Sequence, residues 1–232
     1  MPGLKPDLTP EALTLLHEPP PKDIDEFLSQ PYVIERTKID EYEEKGFVKL
    51  EKVISGRALE YYRELIGFAV GHVFKDDSRP LSDKPVYERS FLQAFNLWLE
   101  YPAIKHFVFS TRFAQLARDL MRVDGVRLWF DQALYKQPGG RITDYHQDAG
   151  HQVNEYEKET RKLSMTVQLS EPDTYEGGEF YFYDGNKDEI EPDIQEQGSI
   201  LVFDSRMWHR VAPVTKGVRY SLVSWILGPR FQ

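Results

Sequence analysis

Apolar residues recur at helical spacing in the first half of the chain and alternate in strand fashion in the second. Leu59, Tyr62, Leu65, Ile66 and Val70 mark one face of a helix predicted from about Gly56 to Phe74, with Ser55 placed to cap it. A shorter helix, Lys38 to Lys45, is closed by Gly46, and Phe47–Leu50 reads as a brief strand. Residues 75–90 are polar and interrupted by two prolines, which predicts a loop. Three helical pieces are predicted next, Phe91–Leu99, Pro102–Phe109 and Arg112–Met121. Pro102 suits a first helical position, and Ser110 or Thr111 suits a cap. Residues 1–35 carry Pro19-Pro20-Pro21 and two short helical turns, Glu11–His17 and Asp23–Leu28, and are read as an N-terminal extension.

From Gly125 the texture changes. Val126–Lys136, Asp144–Asp148, Leu163–Leu169, Glu179–Tyr183, Ser199–Phe203 and Arg219–Leu227 are rich in β-branched and aromatic residues. Pro138-Gly139-Gly140, Gly177-Gly178, Asp184-Gly185 and Gly217 separate them as turns. Helices first and short strands after predict a mainly β fold with flanking helices: a jelly-roll barrel buttressed by N-terminal helices. The expected organisation is one domain over residues 36–232, with helical support at 36–124 and the barrel at 125–232.

Composition narrows the function classes. Of 232 residues, 41% are hydrophobic and 13% aromatic, enough for a sizeable core and against a disordered chain. With no cysteine, disulfide scaffolds, zinc ribbons, iron–sulfur clusters and thiol nucleophiles are excluded. A net charge of −9 argues against nucleic acid or an anionic membrane as a non-specific partner. Neither a targeting signal nor a membrane span is read, and a cytoplasmic protein is expected.

The chemistry gathers around three of the six histidines. His146 and Asp148 are two apart, so on a strand an imidazole and a carboxylate share one face. His151 sits close behind, as a loop histidine or a substrate contact. In a double-stranded barrel, His209 can return to complete a 2-His-1-carboxylate triad, which holds a divalent metal, typically Fe(II), and leaves positions open. Taken alone, the His-x-Asp also fits a surface hydrogen-bonded pair. Arg219 and Ser221 face the same way on a strand, with Val223 and Trp225 as the next inward positions. A guanidinium inside a barrel needs an anion, and a planar fork beside a hydroxyl suits a carboxylate. A structural Asp or Glu would also satisfy it.

The triad and the Arg-x-Ser together resemble the Fe(II)/2-oxoglutarate-dependent dioxygenases. The upstream half, with GFVKLEKVIS, FLQAFNLWLEYPAIKHFVFSTRFAQLARDLMRVDGVRLWFDQALYKQPGG and HQD, is similar to the phytanoyl-CoA dioxygenase group. The downstream half, LSMTVQLSEPDTYEGGEFYFYDG and GSILVFDSRMWHRVAPVTKGVRYSLVSW, is similar to prolyl-hydroxylase-type members. The fold this implies is the double-stranded β-helix of cupin-like barrels. The resemblance implies that His146, Asp148 and His209 ligate Fe(II). It implies that Arg219 and Ser221 grip the distal carboxylate of 2-oxoglutarate, and that Tyr135 and Ser164 contact the same cosubstrate. For Ser164 the strand parity agrees, because Ser164, Thr166 and Gln168 are polar while Leu163, Met165, Val167 and Leu169 are apolar. Tyr135 is equally read as an aromatic filling the barrel. Related halogenases replace the carboxylate with a small residue, so Asp148 favours hydroxylation or desaturation.

The activity implied consumes O2 and 2-oxoglutarate and releases succinate and CO2 while hydroxylating a small molecule. The alternatives are a protein or peptide side chain as substrate, or a metal-holding barrel without turnover. Trp129, Tyr145, Tyr156 and Trp225 are candidate pocket walls. Residues 75–90, 149–162 and 184–197 are candidate lids. Substrate identity and oligomeric state are not legible.

Overall fold

A computed structural model of the chain describes residues 8–85, 88–89, 91–151, 160–183 and 188–230. Two sheets face each other, and helices cover the outer face of the larger one. The larger sheet is built from β1 (Phe47–Leu50), β2 (Leu92–Phe95), β3 (Arg127–Lys136), β5 (Thr160–Gln168), β9 (Ile200–Asp204) and β12 (Arg219–Arg230), in the order β1-β9-β5-β12-β3-β2. The smaller sheet is built from β4 (Thr143–His146), β7 (Phe180–Tyr183), β8 (Glu189–Ile190) and β10 (His209–Val211), in the order β4-β10-β7-β8. A separate two-stranded ribbon joins β6 (Tyr175–Gly177) to β11 (Val214–Gly217). Among the described residues all the strand pairs are antiparallel. This is the jelly-roll arrangement expected from the sequence.

Strand alternation divides the interior in two. Leu163, Met165 and Val167 of β5 and Leu222 and Ile226 of β12 enter a core shared with the helices. A second core between the sheets is formed by Phe47, Phe180, Phe182, Leu201, Phe203 and Val211, beside Ile194. The helical layer begins with α1 (Pro10–His17), where Pro10 opens the helix and the Thr9 hydroxyl accepts from the Ala12 N–H. It continues through α2 (Lys22–Ser29), α3 (Arg36–Lys45) and α4 (Gly56–Val73). Leu16, Ile24 and Leu28 of the first two helices are buried in the helix-side core with Leu65, Ile66 and Val70 of α4. Gly46 ends α3 with φ +77°, a left-handed stop that leads directly into β1. No described helix is long and apolar enough to cross a membrane.

One predicted helix is replaced by two different elements. Over Phe91–Leu99 the chain forms β2, turns at Asn96 (φ +52°), and then makes the single turn α5 (Leu97–Glu100). Two agents override helical propensity: β2 pairs with the edge of β3, and the buried Asp131 carboxylate accepts hydrogen bonds from the Leu97 and Trp98 N–H groups at 3.2 and 3.4 Å. The remaining helices, α6 (Pro102–Val108) and α7 (Thr111–Met121), fall where expected. The Ser110 hydroxyl caps α7 by accepting from the Phe113 N–H.

Candidate metal centre

β4 delivers His146 at its last residue, and β10 begins with His209. These two residues are direct partners in the antiparallel ladder, with ring centroids 4.2 Å apart. Asp148 opens a 3-10 turn, Asp148–His151, immediately after β4. It is not on the strand, as the sequence reading had it, yet its carboxylate reaches the same point. Asp148 Oδ1 is 3.5 Å from His146 Nε2 and 3.6 Å from His209 Nε2. One ligand atom from each of the three residues falls within 4.8 Å of the others.

The surroundings orient each ligand. His146 Nδ1 donates to the Asp144 carbonyl at 2.9 Å, and His209 Nδ1 donates to the Met207 carbonyl at 3.0 Å. Each bond engages Nδ1, so Nε2 is the ring nitrogen that faces Asp148 and would ligate a metal. The Ser164 hydroxyl donates to Asp148 Oδ2 at 2.6 Å and lies 2.8 Å from the Ser205 hydroxyl, so Oδ1 is left toward the imidazoles. The Ala149 N–H donates to the Ser205 carbonyl at 2.8 Å and anchors the turn. Phe180 stacks on the His209 ring, with centroids 5.1 Å apart and planes at 9°.

Burial raises the Asp148 carboxyl pKa, but the hydrogen bond from His146, the His209 charge and the Ser164 hydroxyl outweigh it and hold the carboxyl below its ordinary value. Burial also opposes charge on His146, which Asp148 overcomes to raise its pKa, while burial dominates at His209 and lowers it. Two imidazole nitrogens and one ionised carboxylate oxygen match the donor set of a non-haem ferrous site.

A cavity of about 700 Å³ extends from these ligands between the two sheets. Arg219, Ser221, Val223 and Trp225 of β12 all line it, the period-2 face expected from the sequence. Arg219 is only 4% exposed, and its Nε and Nη2 have no hydrogen-bond partner. Burial lowers the guanidinium pKa from its ordinary value. At Gly178 a Cβ would lie 3.1 Å from Arg219 Cδ and 3.0 Å from Val214 Cγ2, so the glycine (φ +75°) makes room for the arginine stem.

Lys136 was not singled out in the sequence. It is the register partner of Arg219 across β3 and β12, and it is also 4% exposed. Its Nζ donates to Thr143 Oγ1 at 2.9 Å and to the Arg141 carbonyl at 3.3 Å, and lies 5.2 Å from the centre of the Phe91 ring. Burial, followed by the Arg219 charge, pushes its pKa down to about 7. Among the described residues neither cation is salt-bridged to a carboxylate. Two buried cations side by side, with guanidinium N–H groups unmet, fit a carboxylate ligand.

Two sequence-derived cosubstrate contacts stand elsewhere. Tyr135 lies on the opposite face of β3 from Phe130, Gln132, Leu134 and Lys136, which line the cavity. Its ring packs on Tyr220 in the helix-side core, with centroids 4.4 Å apart. The parity of β3 therefore corrects its assignment, and the position one residue later is the one that faces the site. Ser164 faces inward as its strand parity predicted, but its hydroxyl is taken by Asp148 and it does not line the cavity. Of the candidate aromatic walls, Tyr145 and Trp225 line the cavity, whereas Trp129 lies against Lys162. Tyr156 and the His151 side chain are outside the described residues.

Comparison with known proteins agrees with this geometry. A family model described as the 2OG-Fe(II) oxygenase superfamily matches residues 132–227. A PKHD-type hydroxylase of Synechococcus sp. (strain JA-2-3B'a(2-13)) is 32% identical over 87 residues, 35% of each chain. One of Shewanella sp. (strain ANA-3) is 33% identical over 113 residues, 48% of this chain and 49% of the relative. The chain thus spans from about a third to about half the length of these curated relatives. Among solved structures, the non-haem α-ketoglutarate-dependent carbocyclase SnoK from nogalamycin biosynthesis superposes with a TM-score of 0.68 at 15% identity, covering 86% of this chain and 87% of that one. EctD from S. alaskensis, solved with 2-oxoglutarate and 5-hydroxyectoine, gives 0.64 at 18% identity, covering 97% and 83%. These superpositions establish the shared fold.

Proposed function

We propose that the chain is a 2OG-Fe(II) oxygenase, the superfamily whose model matches residues 132–227, and that it hydroxylates an unactivated C–H bond of a small molecule. The reaction consumes 2-oxoglutarate and O2 and releases succinate and CO2, one oxygen atom entering succinate and the other the product. The observation that carries this reading is the conjunction of His146, Asp148 and His209 with the partnerless Nε and Nη2 of Arg219 in one cavity. We assign the activity to residues 36–232, with residues 1–35 as an extension.

When bound, ferrous iron with its keto-acid supplies the oxygen activation. The protein supplies position. His146 Nε2, Asp148 Oδ1 and His209 Nε2 hold the metal on one side. Arg219 and Lys136 draw the distal carboxylate of the keto-acid to the far end of the cavity, beside the Ser221 hydroxyl. Phe180 and Phe203 wall the centre and exclude water around it. The cavity volume, about 700 Å³, suits a small molecule together with the keto-acid. A second reading, a protein or peptide side chain as substrate, is supported by the prolyl-hydroxylase-type texture of the barrel half and by the PKHD-type hydroxylases that match it.

The test is succinate release from purified protein with Fe(II), 2-oxoglutarate and O2, screened against small molecules and against peptides. Stimulation by small molecules is expected. It should vanish in Asp148→Ala, and Arg219→Leu should raise the KM for 2-oxoglutarate about tenfold or more. Stimulation by peptides alone supports the second reading, and turnover that survives Asp148→Ala contradicts both.

A further inference from the structure

Beyond the metal ligands, the far wall of the cavity has a chemistry of its own. The sheet register places Trp225 beside Ser164 on one side and Phe130 on the other. Because Ser164 holds Asp148, this row lies at the height of the metal ligands. The Phe130 and Trp225 rings stack, with centroids 4.2 Å apart and planes at 23°. One row along, Gln132 sits between Val223 of β12 and Phe95 of β2. Gln132 is 7% exposed, and its Nε2 donates to Gln93 Oε1 at 2.6 Å. That bond fixes both amides. It leaves the Gln132 carbonyl oxygen and the Gln93 N–H2 group, an acceptor next to a donor, and neither atom is among the sealed, partnerless ones. Both side chains line the cavity. From Phe95 and Phe130 through Gln132 and Leu134 to Val223 and Trp225, this wall is uncharged. The cavity's buried cations, Lys136 and Arg219, are at the other end.

We propose that this wall is a substrate subsite for an uncharged, ring-containing molecule presenting a hydrogen-bond donor and acceptor side by side, as the edge of a lactam or cyclic amide does. The stacked Phe130 and Trp225 rings receive the flat face of the ligand, and the Gln93–Gln132 pair reads its edge. An anionic substrate is disfavoured against the Gln93–Gln132 pair and the stacked rings, because its charge would lose water there without meeting a cation from those four side chains. The inference rests on the oxygenase reading, since it uses the metal and the keto-acid to define which end of the cavity is free.

The experiment is titration calorimetry on the full chain loaded with Mn(II) and 2-oxoglutarate, which binds without turnover. The probes are 2-quinolone, 2-methoxyquinoline (the same rings without the edge donor) and 2-quinolone-4-carboxylate. 2-Quinolone should bind saturably and about tenfold or more tightly than 2-methoxyquinoline. Gln93→Leu and Gln132→Leu should each remove about that factor for 2-quinolone alone, with 2-oxoglutarate affinity unchanged. Trp225→Leu should weaken both neutral probes equally. Should Gln132→Leu disturb folding, seen as loss of 2-oxoglutarate binding, the half-buried Gln93→Leu decides. Equal binding of the two neutral probes to the parent protein, indifference to Gln93→Leu, or tightest binding of the carboxylate overturns the subsite. Failure of 2-oxoglutarate itself to bind the Mn(II)-loaded chain overturns the oxygenase reading instead.

Discussion

Lys136 and Arg219 face each other across the β3–β12 ladder, two like charges in a place sealed from water. The Arg219 charge opposes ionisation of Lys136 until an anion arrives. The free Lys136 amine has its pKa pushed down to about 7 from an ordinary 10.5, by burial first and Arg219 second. The unfolded chain therefore binds a proton that the folded, ligand-free chain lacks between about pH 7 and 10.5, and stability of that state gains as pH rises through this window. A bound dicarboxylate reverses the balance and draws the proton back. The affinity of the metal-loaded protein for 2-oxoglutarate should then fall as pH rises above 7, by up to about tenfold per unit, with uptake of close to one proton. Calorimetry in buffers of different ionisation enthalpy reads both, and Lys136→Met should flatten the profile. A parent profile already flat between pH 6.5 and 8.5 would remove Lys136 from the carboxylate site. The same residue shows what the sequence concealed. Tyr135 and Lys136 are adjacent on β3, and only the pairing with Arg219 fixes which of the two faces inward.

At the scale of elements, legibility followed the strength of the pattern. The alternation Arg219, Ser221, Val223, Trp225 is long and unbroken, and β12 carries it as read. The three-residue β10 was not anticipated, because it is too short for alternation to register and is held by partners on both sides, β4 and β7. The Phe91–Leu99 segment is apolar enough for a helix. What divides it is a distant residue, Asp131, whose carboxylate caps α5 and whose carbonyl accepts from the Asn96 N–H at 2.8 Å. Burial raises this carboxyl's pKa to about 6, so the cap is retained against a desolvation cost. Asp131→Ala leaves two N–H groups without their acceptor and should cost about 1–3 kcal/mol. A thermal or urea melt measures this, and a variant within about 0.5 kcal/mol of the parent would show that the cap does not hold the turn. Because Gln93 and Phe95 stand on β2, the same cap positions part of the proposed substrate wall.

At the scale of the whole molecule, the helices and the smaller sheet do different work on the same large sheet. The helical layer, with Leu16, Ile24 and Leu28 of α1 and α2 included, buries one face and makes it a rigid floor. The smaller sheet carries His146 and His209 as paired neighbours and sets them over the opposite face. The spacing of the two imidazoles is thus fixed by strand register, which tolerates little error, while the cavity lies between the sheets. The jelly roll and the meeting of His146, Asp148 and His209 were legible in the sequence because each rests on few residues with strong chemistry. The cavity walls were not, since a Gln or Phe on a strand declares its face only once neighbouring strands are in register. The most direct measurement is an anaerobic titration of the protein with Fe(II) and then 2-oxoglutarate, followed in the visible region. A weak metal-to-ligand charge-transfer band should appear at one equivalent of each and be absent in His209→Ala. No band in the parent protein, or one that persists when His209 is replaced, would contradict the assignment of this cavity as a ferrous keto-acid site.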